Sequence, residues 1–209
     1  MRQNRKIRVL IADDHAIVRM GLSTLLGSDR ELCVVGEAED GREAVEKAVE
    51  LRPDVVVMDL VMPGMDGGAA TAAIVRRAPW AKVLILTTFG TSDGIAAALS
   101  AGAFGALLKS AANADLLKAI HSIAEGMRFV SPAVKALMRS DPPAPDMTPR
   151  QQEILRSLTR GRTNRDIAGQ LGISPESVKD HVNAIFSKLG ASNRSEAVAI
   201  AFRKHLLKL

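Results

Sequence analysis

The chain has 209 residues, 47% hydrophobic and 24% charged, values of an ordinary globular protein that exclude wholesale disorder and fibrous repeats. No apolar run reaches the roughly 18 residues needed to span a bilayer, and no secretory leader follows the basic N-terminus, so a cytoplasmic protein that does not engage membranes is expected. The net charge of +5 is uneven: residues 1–140 hold 17 Lys/Arg against 16 Asp/Glu, whereas residues 141–209 hold 11 against 7, which points the tail toward a polyanion.

Strand-forming runs occur at 7–12, 32–37, 55–59, 83–87 and 104–108. They are continuous rather than alternating, the pattern of a parallel sheet covered on both faces. The one cysteine, Cys33, lies in the second run; it excludes an internal disulfide and reads as a small core residue. Amphipathic helical segments separate the runs, with Val18, Leu22, Leu25 and Leu26 on one face of the first, and Ala44, Val45, Ala48 and Leu51 on one face of the second. Later helices are expected near 66–78, 93–101 and 112–125. Five βα units in about 120 residues predict a doubly wound α/β sheet. A short helix near 132–139 and a run with three prolines, residues 140–146, form a linker. Four helices follow, near 149–160, 164–171, 175–189 and 193–206, separated by Gly161, Gly172 and Gly190. Few aromatics are present (five Phe, one Trp, no Tyr), so stacking on single-stranded nucleic acid is not expected.

Asp13 and Asp14 follow the first strand and Asp59 ends the third. In a sheet of order 2-1-3-4-5 those strand ends are neighbours at the ligand-binding rim. Converging carboxylates need a cation, and an oxygen-only set suits Mg²⁺. Thr87 and Lys109 end the fourth and fifth strands on the same rim, completing a hydroxyl, an ammonium and a metal around a nucleophilic carboxylate. An isolated Asp13-Asp14 pair would read only as a cap for a helix starting near His15; the five-residue constellation outweighs that reading.

Asp59-Leu-Val-Met-Pro-Gly-Met-Asp-Gly67, with Ala12-Asp-Asp-His15, Leu86-Thr87 and Leu107-Leu-Lys109, resembles response-regulator receiver domains over residues 6–125. The resemblance implies that Asp59 accepts a phosphoryl group from a sensor histidine kinase. It also implies that Asp13, Asp14, Asp59 and the Val61 carbonyl hold Mg²⁺, and that Thr87 and Lys109 bind phosphoryl oxygens. Two departures bear on the relay. Ala106 stands where receivers of this type carry Tyr or Phe, and Phe104, on the same face by strand alternation, is the candidate substitute. The segment Ile95–Gly102 is built from small side chains and should be easily shifted.

Residues 164–171, Gly172-Ile-Ser-Pro175 and 176–189 have the form of a helix-turn-helix, with Ser174 as cap and Val178, Val182, Ile185, Phe186 and Leu189 as the buried stripe. Met147–Leu155, Gly161–Ala168, Ser177–Val182 and Phe186–Gly190 resemble the LuxR-type DNA-binding domain, so residues 147–209 form that module and residues 126–146 the linker. The whole chain resembles NarL/FixJ-type response regulators, which implies a homodimer on inverted-repeat double-stranded DNA, with RNA polymerase as a further partner. Lys179 and Asn183 are the candidates for base edges, with Asp180 accepting from cytosine or orienting Lys179. Thr163, Asn164, His181, Lys188 and Arg194 are candidates for the DNA backbone. His181 reads equally as a packed residue.

Rival readings are few. One is a regulator whose DNA binding is largely independent of phosphorylation, expected from Ala106, and another is a phosphate sink. An aspartate-based phosphatase lacks the acid two residues beyond Asp59, where Val61 stands. Gly90-Thr-Ser-Asp-Gly94 fits a hydrolase nucleophile elbow around Ser92, with Asp115 and His121 in the right order but on one helix.

Overall fold

The computed structural model describes residues 5–88, 92–143, 146–203 and 206. They form two compact units, residues 1–142 and 143–209, so the boundary falls between Pro142 and Pro143 of the Pro-rich run.

In the first unit, β1 (Ile7–Ala12), β2 (Leu32–Ala38), β3 (Val55–Met58), β4 (Lys82–Thr87), β5 (Gly105–Leu108) and β6 (Phe129–Val130) form one parallel sheet in the order β2-β1-β3-β4-β5-β6. The connecting helices are α1 (Ala16–Gly27), α2 (Gly41–Leu51), α3 (Gly67–Arg77), α4 (Ser92–Ser100) and α5 (Asn113–Ala124), and α6 (Pro132–Ser140) follows β6. Alternation along each strand divides the core in two. Val9, Ile11, Val57, Leu84 and Leu107 face Leu26 of α1 and Leu116, Ile120 and Ile123 of α5. Leu10, Val56, Met58, Ile85 and Ala106 face Ala44 and Val45 of α2, Ile74 of α3, Ile95 of α4 and Val134 of α6. Continuous apolar strands are what a sheet packed on both faces demands.

Three expectations are corrected. The sheet has a sixth strand: two residues after α5 add to β5, with Gly105 opposite Phe129 and Ala106 opposite Val130. The short helix α6, expected as linker, packs on the first unit, with Val134 fully buried and Leu137 and Met138 against the same core. Ser131 caps it by accepting the Val134 N–H, and Pro132 opens it. Cys33 is exposed rather than buried. It lies on the edge strand β2, where Leu32 is buried and its neighbour turns to the opposite face.

The second unit packs α7 (Pro149–Thr159), α8 (Asn164–Leu171), α9 (Pro175–Leu189) and α10 (Arg194–Arg203) around Ile154, Leu155, Leu158, Ile167, Val178, Val182 and Ile185. Helix starts are set by local chemistry. Thr148 with Gln151, and Thr163 with Asp166, form reciprocal capping boxes, and Ser174 accepts the Ser177 N–H ahead of Pro175. Gly172 ends α8 with φ 64°, a left-handed conformation that lets the chain turn sharply into α9.

One polar contact joins elements of the first unit remote in sequence. His121 on α5 lies 3.0 Å from a carboxylate oxygen of Asp29, in the turn between α1 and β2, and 3.7 Å from Glu31. The hydrogen bond with His121, then that from the Glu31 N–H, holds the Asp29 carboxyl below its usual 3.8. A depressed folded-state value means stability present above pH 3.8 and lost as pH falls through the folded value. Asp29→Asn is therefore expected to unfold at lower urea than the parent at pH 5.5, with the gap closing toward pH 3. Urea titrations at the two pH values check this, and a gap that does not narrow refutes it.

Candidate acidic site and nucleic-acid interface

The acidic site begins with strand register. Ala12 and Met58 are paired at the ends of β1 and β3, and the Asp59 N–H donates to the Ala12 carbonyl at 2.8 Å. The next residues on each strand, Asp13 and Asp59, are thereby forced side by side at the carboxyl rim. Asp13 is 1% and Asp59 5% exposed, while Asp14 faces solvent. From the far side of β4, the Lys109 N–H donates to the Thr87 carbonyl at 2.8 Å, which fixes where the lysine leaves β5. Its ammonium lies 2.7 Å from Asp59 Oδ2 and pairs also with Asp13 Oδ2. Burial opposes the charge on Lys109, but hydrogen bonds to Asp13 and Asp59 more than offset it and raise the amine above its usual value.

The rest of the Asp59 carboxylate is bound by its own loop. Oδ1 accepts the Leu60 N–H at 2.7 Å and lies 3.4 Å from the Val61 nitrogen. The loop closes tightly because Gly67 opens α3 against it: a Cβ at Gly67 would sit 2.1 Å from the Asp59 carbonyl oxygen. The Gly67 N–H donates to the Leu60 carbonyl, and Asp66 caps α3 through the Ala69 N–H. This explains the Asp-Gly that ends the motif beginning at Asp59. The Val61 side chain is exposed at the rim.

Ligand atoms of Asp13, Asp14, His15 and Asp59 lie within 4.8 Å of one another. Three of the four are carboxylates, so the set is dominated by hard oxygen donors that fit Mg²⁺ better than a soft ion. Thr87 Oγ1 is buried at the end of β4 without a hydrogen-bond partner among the described residues. Such an orphan is costly unless a ligand supplies the missing partner.

Two residues of the site escaped the sequence reading. His15 occupies the cap position of α1, with its N–H donated to Asp13 Oδ1 and its ring 2.7 Å from Asp14. Its position directly after Asp13-Asp14 is the only sequence signal. Arg19, buried on α1, donates to the Asp13 main-chain carbonyl at 2.8 Å. Nothing in the apolar spacing of α1 marks it.

The switch positions differ from expectation. Ala106 is fully buried on the face covered by α2, α3, α4 and α6, whereas Phe104 packs on the other face beside α5. Phe104 precedes β5, so strand alternation does not govern it, and it does not replace the missing aromatic. Ser92, at the start of α4, is buried and its hydroxyl is 2.9 Å from Asp141 Oδ2, just beyond α6. Gly90 and Thr91 of the G-x-S-x-G segment lie outside the described residues. With Ser92 bonded to Asp141 and His121 to Asp29, the contacts around Ser92 do not assemble a Ser-His pair.

In the second unit, Lys179, Asp180 and Asn183 are exposed on α9, opposite its buried Val178, Val182 and Ile185, and His181 is half-buried. The candidate backbone contacts are less free. The Thr163 hydroxyl caps α8 and donates to Asp166, and Asn164 is half-buried at the first position of that helix. Lys188 donates to the Asp146 carbonyl at 2.7 Å and to Gln151 at 3.0 Å. Arg194 donates to the Leu158 and Arg162 carbonyls at 2.9 and 2.6 Å. Lys188 and Arg194, the candidates for the DNA backbone, thus also bond main-chain carbonyls within the helical unit.

Comparison with known proteins agrees with this architecture. Residues 9–121 match the response regulator receiver domain, and residues 145–201 match the bacterial regulatory proteins of the luxR family. The transcriptional regulatory protein LiaR of Bacillus subtilis is 41% identical, over 96% of this chain and 99% of its own. The response regulator VraR of Staphylococcus aureus is 38% identical, over 97% and 99%. Among solved structures, the response regulator ChrA of a heme-sensing two-component system is 43% identical with a TM-score of 0.58, covering 97% and 99%. RcsB bound as dimers to DNA is 28% identical with a TM-score of 0.70, covering 96% and 99%. The chain therefore belongs to the LuxR-family response regulators, with a receiver domain ahead of a LuxR-type DNA-binding domain.

Proposed function

We propose that Asp59 is the phosphoryl acceptor of this response regulator and that its modification governs binding of α9 to double-stranded DNA. The carrying observation is the Lys109 ammonium shared between Asp13 and Asp59 at neighbouring strand ends. It neutralises part of the crowded charge and stands where a transferred phosphoryl group would place its oxygens.

In the reaction, a carboxylate oxygen of Asp59 attacks the phosphorus of a phosphohistidine on a sensor kinase. The O–P bond forms, the N–P bond breaks, and the released imidazole nitrogen takes a proton from solvent. The loop N–H groups at Leu60 and Val61 hold the acceptor carboxylate in place. Lys109 transfers its hydrogen bond from Asp59 to a phosphoryl oxygen, and the Thr87 hydroxyl gains the partner it lacks. Asp13, Asp14 and Asp59, with the Val61 carbonyl, would hold Mg²⁺, which supplies further charge neutralisation at the phosphoryl oxygens.

The route outward differs from an aromatic switch, because Ala106 has no side chain to swing. Thr87 leads into α4, and α4 is tied through Ser92 to Asp141 at the end of α6. A shift of α4 toward a phosphoryl-bound Thr87 would pull on the segment that precedes the DNA-binding unit, a population shift in that linker that favours a homodimer on an inverted repeat. Among the described residues no helix is long and apolar enough to cross a membrane. The regulator would act in the cytoplasm, as a DNA-binding protein rather than an enzyme with turnover on a separate substrate.

Asp59→Asn is expected to abolish labelling by acetyl phosphate, and EDTA to abolish it in the parent; labelling of the Asn variant at the parental rate overturns the acceptor assignment. Ser92→Ala should label at the parental rate yet show a smaller change in DNA affinity on phosphorylation, measured by gel shift at fixed salt. An unchanged response would favour DNA binding that runs without the α4 tether. In the second unit, Lys179→Ala is expected to cost about 1–3 kcal/mol of specific DNA binding while leaving stability intact. Lys188→Ala should instead lower stability modestly, by about 0.5–1.5 kcal/mol, since it removes one hydrogen bond to the Asp146 carbonyl and one to Gln151, which keeps the Thr148 N–H. Gel shifts and thermal melts on both variants separate the two roles.

A further inference from the structure

Arg19 is among the few charged residues buried in the first unit, and it belongs to none of the roles above. It sits on α1, one residue past Val18, and its guanidinium turns back under the acidic site. One nitrogen donates to the Asp13 main-chain carbonyl at 2.8 Å, a second pairs with Glu39 at 2.6 Å, and Nε lies 3.6 Å from Glu37. Both glutamates flank Ala38, whose carbonyl accepts the Asp13 N–H at 3.1 Å.

These bonds fix every polar group of Asp13. Its N–H is held by the end of β2, its carbonyl by Arg19, Oδ1 by the His15 N–H and Oδ2 by Lys109. Of these four, only the carbonyl depends on a side chain that does not itself face the acidic rim. Without Arg19 the peptide after Asp13 loses its anchor, and that peptide carries Asp14. Its orientation decides whether Asp13 and Asp14 converge on one point. A planar guanidinium suits the task because it can bond the carbonyl and Glu39 at once from a fixed fork while its Nε stays beside Glu37. Burying a charge is a poor way simply to join a helix to a sheet, since an apolar residue of similar volume usually does so at no loss of stability.

We propose that Arg19 is a positioning residue for cation binding by the acidic site, acting through the main-chain carbonyl of Asp13 and braced by Glu37 and Glu39. The proposal rests on the reading of Asp13, Asp14 and Asp59 as a Mg²⁺ site. Residues that orient metal ligands from outside the coordination shell typically change affinity 10–100-fold when removed.

The test is Mg²⁺ titration calorimetry on the full chain, with thermal melts recorded without metal. Arg19→Met is expected to weaken Mg²⁺ binding at least tenfold, and Arg19→Lys to weaken it less, because lysine keeps one bond to the carbonyl but not the fork. Should Arg19→Met fail to fold, the doubly substituted Glu37→Gln, Glu39→Gln protein keeps Arg19 while loosening its brace, and a loss of several-fold is expected. Parental Mg²⁺ affinity in the folded Arg19 variants, or in the double variant where Arg19→Met does not fold, overturns the proposal even if the melting temperature falls. Failure of the parent chain itself to bind Mg²⁺ would instead overturn the metal-site reading on which the proposal stands.

Discussion

A single ammonium holds together a rim that its own charges would otherwise force apart. The sheet register places Asp13 and Asp59 at adjacent strand ends, nearly without solvent, and Asp14 follows directly. Buried like charges are unfavourable at such separations unless a cation compensates them. Lys109 compensates part of that charge, reaching across β4 from the end of β5. The pocket is thus left short of positive charge and holds a Thr87 hydroxyl without a hydrogen-bond partner among the described residues. A site so constituted suits a divalent cation and an anionic group that could engage the lysine. The remainder of the first unit can be understood as the means of keeping that arrangement exact: the two-sided core fixes the strands, Gly67 lets α3 press on the Asp59 loop, and Arg19 braces the Asp13 backbone.

The parts of this arrangement that were legible in sequence share a property. Asp13, Asp59, Thr87 and Lys109 all stand at or just beyond the ends of apolar runs, so a parallel sheet places them on one rim. The start of α9 was legible for the same local reason, since Ser174 is a cap whose partner lies three residues on, whereas Thr148 and Thr163 show themselves as caps only in the structure. What was not legible depends on contacts between distant segments. Arg19 looks like any cation on an amphipathic helix until β2 brings Glu37 and Glu39 beside it. Cys33 reads as core until its place beside buried Leu32 turns it to the open face of the edge strand β2. Phe104 was misassigned because alternation was extended to a residue outside the strand.

The same distinction separates the cations of the second unit. Lys179, Lys188 and Arg194 are alike in composition, and the basic excess of residues 141–209 counts them equally. Their surroundings do not. Lys179 and Lys188 are both exposed on α9, but Lys188 and the half-buried Arg194 also donate to carbonyls left over where helices meet and end. Net charge therefore identifies the face of a domain that favours a polyanion poorly when some of its cations are committed to closing the fold.

The absence of an aromatic at position 106 has a structural counterpart in α6. In this chain Ala106 is fully buried, and the core it belongs to is completed by Val134, Leu137 and Met138 from that helix. The packing that a large residue on β5 could have provided is supplied from a segment that leads directly to the DNA-binding unit. A rotating side chain conveys a signal by changing a surface; a packed helix conveys it by changing what it is attached to. With Asp141 bonded to Ser92, a displacement of α4 would bear on the end of α6, one residue before the boundary between the two units. The small side chains of α4, which bury only Ser92, Ile95 and Ala98, keep the energy of such a displacement low.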